Sequence, residues 1–222
     1  MVKRNSTPLK REKEMDAFRV LDTVTSKTAP GMSPEYSMAH VLKALQLIGS
    51  GEGIGRQKLS REIGVGEGTV RTLIKRLRKE GLVESSRQGL TLTISGREVL
   101  SEILRLMKEI ELPKTEVTIG SRDYAVLVKK AANHVRKGVE QRDAALFAGA
   151  MGATTLVFDG EHLFMPGIEM KPDASISEML IKHLKPERGD VIIIGSAETA
   201  NSAEIGAKSA TLKLMKEIKA QS

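Results

Sequence analysis

Ten side chains between residues 58 and 87 have the types and spacing to grip a polyanion. Lys58, Arg61, Arg76, Arg78 and Arg87 are the kind of cations that neutralise phosphate oxygens. Glu67, Thr69, Arg71, Thr72 and Lys75 crowd the first turns of one expected helix, where a groove-reading helix presents side chains to base edges. Their chemistry suits that task. A guanidinium fork matches guanine O6 and N7, a carboxylate accepts from the cytosine amine, and a hydroxyl serves either way. The partner these residues imply is double-stranded DNA, with the first five on phosphates and the second five on bases.

Such groups read a groove only from a rigid base. Residues 56–94, RQKLSREIGVGEGTVRTLIKRLRKEGLVESSRQGLTLTI, supply one. Val70, Leu73, Ile74 and Leu77 fall at i, i+3, i+4 and i+7, one apolar stripe of a helix whose other face is cationic. Gly81 stops that helix. Ile54, Leu59, Ile63 and Val65 are the apolar side of a preceding short helix, with Gly64 and Gly66 bracketing the turn. Leu82 to Ser85 and Leu90 to Ile94 are expected as two strands of a wing, with Arg87-Gln88-Gly89 at its tip. In the second strand Leu90, Leu92 and Ile94 alternate with Thr91 and Thr93. Upstream, Ser33-Pro34-Glu35 has the pattern of a helix start, and Met38, Val41, Leu42, Leu45 and Ile48 follow as an apolar stripe ended by Gly49 to Gly53. Downstream, Ser95 and Glu98 match a capping box. The helix they open is expected to run to about Ile110 as a linker or dimer element, ended by Leu112-Pro113. Residues 1–32 are a basic arm with Lys3, Arg4, Lys10, Arg11 and Lys13. Met15, Phe18, Val20 and Leu21 form a short helix in it before a break at Ala29-Pro30-Gly31.

The charge balance agrees with this placement. The 222 residues carry a net charge of +7, and 222 residues are enough for one or two domains at ~100–200 residues each. Residues 1–113 hold 20 Lys+Arg against 14 Asp+Glu, a surplus of +6; residues 114–222 hold 15 against 14. Within 56–97 the count is 10 against 4, so the helix-turn-helix stretch alone accounts for the excess. Four Phe, two Tyr and no Trp argue against single-strand recognition by stacked aromatics. The absence of cysteine excludes disulfides and thiolate metal sites. No apolar run reaches the ~20 residues of a membrane span, and the first residues lack the apolar core of a signal peptide. A soluble cytoplasmic protein is expected.

No catalytic constellation is legible. His40, His134, His162 and His183 are far apart and lack metal-ligand spacing. Gly53-Ile54-Gly55-Arg56-Gln57-Lys58 does not have the spacing of a phosphate-binding loop. No metal, cofactor or enzymatic activity is expected.

Beyond Pro113 the pattern predicts a strand at Glu116 to Ile119 and a helix over 122–136 capped by Ser121. A small-residue helix at Gln141 to Met151 and a hairpin from Thr154 to Met165 follow. A helix at Ser175 to Leu184, a buried strand at Asp190 to Gly195 and a closing helix at Ser202 to Ile218 complete it. That order implies helices against a mixed sheet. Three features there suit a small anionic effector. Arg122-Asp123 and Arg142-Asp143 each stand near an expected helix start. The turn Gly149 to Thr155 offers the hydroxyls of Thr154 and Thr155. The turn Gly195 to Thr199 places Ser196, Glu198 and Thr199 at the end of a buried strand, before a helix N-terminus that favours anions. Each feature has a purely structural alternative: caps, tight packing or a surface ion pair.

APGMSPEYSMAHVLKALQLIG, IGRQKLSREIGVGEGTVRTLIKRLRKEGLV, GVEQRDAALFAGAMGATTLVFDG and DVIIIGSAETANSAEIGA resemble an archaeal family of winged-helix, transcription-regulator-like proteins with a C-terminal domain of unknown function. The resemblance implies a winged-helix DNA-binding fold and leaves the second domain's chemistry open. Together these readings give an α+β chain: a basic arm over 1–32, a winged-helix domain with linker helix over 33–113, and a small α/β sandwich over 114–222. The function expected is a homodimeric DNA-binding transcription regulator whose C-terminal domain senses an anionic ligand, dimerises, or both. The alternatives are a structural winged-helix protein without sequence preference and an enzyme domain fused to a winged-helix interaction module.

Overall fold

The computed structural model describes residues 16–27 and 34–221. The arm's Lys3, Arg4, Lys10, Arg11, Lys13 and Met15, the Ala29-Pro30-Gly31 break and Ser33 lie outside the described residues. Within them, Phe18 and Leu21 are buried on α1 (Ala17–Thr25), as their spacing predicts.

α2 (Met38–Gly49), α3 (Arg56–Ile63) and α4 (Glu67–Lys79) form the helical core of the winged helix, with β1 (Val83–Ser86) and β2 (Gly89–Leu92) as its wing. The apolar stripes read from sequence face inward: Val41, Leu42, Leu45 and Ile48 of α2 meet Leu59 and Ile63 of α3 and Val70, Leu73, Ile74 and Leu77 of α4 in one buried cluster. Gly64 caps α3 at φ 74°, a left-handed conformation that a residue with Cβ adopts only under strain. Ile54 stands outside α3 and bridges Leu90 instead.

Three expectations need correction here. α2 does not start at Ser33-Pro34-Glu35; its N-cap is Ser37, whose amide donates to His40 Nδ1 at 3.1 Å. Burial, reinforced by Lys43, lowers the His40 pKa, which favours the neutral ring that this bond requires. Ser95 and Glu98 are not the capping box of α5 (Ile94–Leu104), because Thr93 accepts from the Gly96 amide at 3.0 Å and starts the helix two residues earlier. Ile94 accordingly leaves the wing and is 72% exposed. Thirdly, α5 does not continue to Ile110. The chain reverses after Leu104, and Met107–Leu112 becomes β3, which pairs with β4 (Arg122–Val128) on the far side of Pro113.

β3 and β4 open a five-stranded sheet of order β3-β4-β7-β5-β6, completed by β5 (Gly152–Phe158), β6 (Leu163–Phe164) and β7 (Val191–Ala197). Every pairing is antiparallel, so the expected mixed sheet is not formed. Residues 122–136 are not a helix: Ala125 to Val128 are all buried, because β4 is covered on both faces. Glu116 to Ile119 is a turn rather than a strand, folded around the Asp123 carboxylate, which accepts from the Thr115 amide at 2.7 Å and Thr118 Oγ1 at 2.8 Å. α7 (Ala174–Leu184) covers one face of the sheet through Ile176, Leu180 and Leu184. α6 (Val139–Phe147) and α8 (Ala200–Gln221) cover the other. They approach closely at Gly206, where a Cβ would stand 3.6 Å from the Ala145 Cβ of α6 and collide with Ala150 just past its end.

α8 also holds the two parts of the chain together. Lys208 is 1% exposed and donates to Gln46 Oε1 of α2 at 2.6 Å and to Glu204; Glu109 Oε1 of β3 lies 3.4 Å away. The ammonium also sits 5.5 Å over the Tyr124 ring. Lys43 of α2 pairs with Glu204 at 2.6 Å and donates to Asn201 Oδ1 at 2.8 Å. Burial, with the charges of Glu109 and Glu204, pushes the Tyr124 phenol far above its usual range, so it stays protonated. At its far end α8 reaches α1 through Lys216–Asp22 at 2.8 Å and Lys219–Asp16 at 2.7 Å.

Two outcomes follow. Lys208→Met strands Glu204 and Glu109 against a single remaining cation, and is expected to lower unfolding free energy in urea by about 3–5 kcal/mol. The second outcome concerns pH. The Lys219 hydrogen bond, helped by the Arg19 and Phe18 amides, holds the Asp16 carboxyl below its ordinary 3.8. A depressed acid contributes stability above its unfolded pKa and loses it as pH falls through the lower folded value. Lys219, raised above 10.5 by Asp16, contributes below that value and loses it as pH rises through the folded one. Amide NMR signals of Phe18 and Arg19 should therefore report release of α1 only below pH 3.8, and Asp16→Asn should remove this acid dependence.

Candidate nucleic-acid interface

α4 is well specified locally. Gly66 is its N-cap, Glu67 puts a negative charge at the positive end of the helix dipole, and Arg76, Arg78 and Lys79 put positive charge at the other. With Val70, Leu73, Ile74 and Leu77 buried, the 3.6-residue period turns Gly68, Arg71, Thr72, Lys75 and Lys79 to the opposite, exposed face. Among the described residues Arg71, Lys75 and Lys79 make no hydrogen bond or ion pair, whereas the Thr72 hydroxyl donates back to Gly68 O at 3.2 Å. Lys79 belongs to the centre of this face, although only the five earlier positions stood out as base contacts; the wheel could have found it.

The remaining predicted residues divide by the helix's flanks. Glu67 and Arg78 are exposed on one, where Arg78 donates to Ser85 of the wing. Thr69 and Arg76 lie half-buried on the other and turn toward the protein. Thr69 Oγ1 donates to Glu35 at 2.8 Å. Arg76 Nη1 donates to the carbonyls of Val24 at 2.8 Å and Ser26 at 2.7 Å, fastening α1, and its guanidinium stands 5.9 Å over the Tyr36 ring. Arg61 is exposed on α3 without a partner among the described residues, and Lys58 is only 4.0 Å from Glu52. Arg87 is exposed in the two-residue turn left by the Ser86↔Gly89 register.

The nine residues proposed for an effector are not gathered into one site. Arg122-Asp123 begins a strand, not a helix, and Asp123 is buried under the 115–118 turn. Ser196 Oγ accepts from the Gly120 amide at 2.8 Å. Thr199 caps α8 through the Ser202 amide at 3.1 Å, and Glu198 accepts from Ser121 at 3.1 Å. The ligand-holding strand end expected at Gly195 to Thr199 belongs to open parallel sheets, and this sheet is antiparallel. Arg142 pairs with Asp143 at 3.1 Å on the surface of α6. It also lines two clefts. One, of about 200 Å³, includes Thr154 and Ser196; the other, of about 360 Å³, includes Thr154 and Thr155. Arg122, Asp123, Asp143, Glu198 and Thr199 line neither. Lys137 and Gly138, not anticipated from sequence, line the larger one.

Among the described residues no three His, Cys, Asp or Glu side chains group as a metal site, and no helix is long and apolar enough to cross a membrane.

Comparison with known proteins assigns the two parts. Residues 38–107 match the CggR N-terminal DNA-binding domain, and residues 119–214 match a domain of unknown function, DUF4443. The hypothetical protein PH0730 from Pyrococcus horikoshii OT3 is 28% identical, with a TM-score of 0.68 over 82% of this chain and 95% of that chain. The activation domain of the phage T4 transcription factor MotA is 20% identical, with a TM-score of 0.29 over 41% of this chain and 88% of that chain. No curated protein matches. These matches bear out the resemblance to archaeal winged-helix, regulator-like proteins with a C-terminal domain of unknown function, and the match of residues 38–107 to a DNA-binding domain supports DNA as a partner.

Because Arg76 is spent on α1, Arg76→Ala is expected to destabilise the fold by about 1–3 kcal/mol in urea while leaving the salt dependence of DNA binding unchanged. A salt slope reduced by about one would assign the guanidinium to a phosphate.

Proposed function

We propose that the chain is a transcription regulator that reads a specific double-stranded DNA sequence with α4 in the major groove and acts as a homodimer. Its C-terminal domain senses a small anionic ligand, dimerises, or does both. One observation carries the DNA reading. Arg61, Arg71, Lys75, Lys79 and Arg87 have no partner among the described residues and lie on the helix-turn-helix and wing, whereas Lys43 of α2 and Lys208, Lys216 and Lys219 of α8 are tied to carboxylates. Glu67, Arg71, Thr72 and Lys75 contact bases in this reading. Lys58, Arg61, Arg78 and Arg87 hold phosphates, and Lys79 joins them.

Support for self-association comes from the C-terminal end of α6. Phe147 there is 94% exposed beside the exposed Leu146 and Met151, an arrangement that a lone soluble surface rarely carries without a partner. Two-fold pairing also matches a small reader to a palindromic operator.

The deciding experiment is selection of random duplex DNA by the purified protein, with affinity measured against salt. A palindromic consensus with half-sites about one helical turn apart is expected. Weak, salt-sensitive binding with no enriched sequence would replace this reading with a structural DNA-binding protein. On the selected site, Arg71→Ala is expected to cost about 1–3 kcal/mol and relax one base position. Arg87→Ala should weaken all sequences alike and reduce the salt slope by about one.

A further inference from the structure

The larger of the two clefts is built around the start of α6. Gly138 is the N-cap, at φ 75°, and no side chain caps the helix. The first amide groups of α6 therefore have no partner in the helix and point out of its end with the positive pole of its dipole. Lys137 and Arg142 line the same cleft, and both are exposed. The opposite wall is apolar, formed by Met165, Pro166 and Ile168. β6 covers only Val157 and Phe158 of β5, so the β5 edge beside this cleft is unpaired.

An independent observation points to a ligand. Thr155 lines the cleft, is 5% exposed, and its Oγ1 has no hydrogen-bond partner. A buried hydroxyl left unpaired costs about 1–3 kcal/mol, so it calls for an explanation. A Cβ on residue 138 would stand 3.0 Å from that oxygen. Glycine thus does two things at once: it takes the left-handed conformation and lets the start of α6 lie against Thr155 without a Cβ crowding its side chain.

We propose that this cleft binds a small molecule whose oxyanion, phosphate or carboxylate, sits on the N-terminus of α6 and whose apolar body lies against Met165, Pro166 and Ile168. Arg142 and Lys137 supply charge, and Thr155 donates its unused O–H. Asp143 does not oppose this strongly: its pairing with Arg142 is half-exposed and exchanges readily for a better acceptor. Glu140, in the first turn of α6, is exposed and does not line the cleft. The volume of about 360 Å³ falls at the small end of the range for metabolite pockets. The proposal rests on the sensing role given to this domain above, but ligand binding is read by titration without any operator DNA.

The test is calorimetric titration of the full chain with phenyl phosphate, inorganic phosphate, benzoate and acetate. One-site binding is expected for phenyl phosphate or benzoate, tighter than for its counterpart without the ring. The stronger of the two identifies the source of the oxyanion. Arg142→Ala should weaken it at least about tenfold. Thr155→Val should also weaken it while leaving the melting temperature unchanged or higher, because the valine removes an unpaired hydroxyl and keeps the shape. No saturable binding of any probe up to about 10 mM, or binding that both substitutions leave intact, would overturn the site. Affinity for random duplex DNA, measured on the same variants, should stay at the wild-type value. Its loss with the cleft empty of probe would show that these residues serve the fold rather than a ligand.

Discussion

Lys208 carries a full charge into the middle of the molecule, and the arrangement of the whole chain depends on how that charge is answered. Its partners come from three elements: Gln46 of α2, Glu109 of β3 and Glu204 one turn back on α8. Lys43 and Glu204 complete a balanced set of two cations and two carboxylates. Such a cluster contributes less to stability than an apolar core of equal volume. It does restrict geometry. A docking of α8 shifted by one turn along α2 would keep the Lys208–Glu204 pair but leave Glu109 without Lys208 and Lys43 without Glu204. The winged helix and the sheet domain are thereby held in one relation, reinforced by the Asn201 amide reaching Ile63 O beside the tight Gly64 turn.

This restraint explains how the basic residues are divided. Lys43, Lys208, Lys216 and Lys219 all serve internal joints, and Arg76 fastens the end of α1. Arg61, Arg71, Lys75, Lys79 and Arg87, on α3, α4 and the wing tip, have no partner among the described residues. The basic excess of the N-terminal half is therefore a surface property of the helix-turn-helix, not a by-product of folding. α1 is held at both ends of this division. Arg76 of the recognition helix grips its C-terminal carbonyls, and two lysines of α8 grip its acids.

α8 links the cleft at α6 to α2 and the turn before α4 by continuous contact. Small residues bring α6 against it at Gly206, Lys208 and Asn201 seat it on α2 and the helix-turn-helix turn, and its last turns hold α1. Physical contiguity is the first requirement for coupling two sites. A ligand bound at α6 would shift DNA affinity only by as much as its contacts differed between two arrangements of this helix.

Much of the winged helix was legible because its information is local. The stripe Val70, Leu73, Ile74 and Leu77, the turn glycines Gly64 and Gly66, and the stop at Gly81 each act within a few residues, and the structure has all of them. The hairpin at Asp159-Gly160 and the helix α7 were local in the same sense. The errors fell where neighbours distant in sequence decide. Ala125, Val128, Ala132 and Val135 fit a helical period, yet Ala125 to Val128 is a strand covered on both faces, which a short apolar run cannot declare. Met107 and Ile110 fit the end of α5 equally well until β4 claimed them as an edge partner. By itself, then, the sequence determined α4, its cationic face and the existence of a second α+β unit, because periodicity and capping are written in neighbouring residues. Only the tertiary structure decided strand direction, the inward turn of Arg76, the burial of Lys208 and the meeting of Gly138 with Thr155, because each depends on which distant backbone arrives to satisfy a hydrogen bond or a charge.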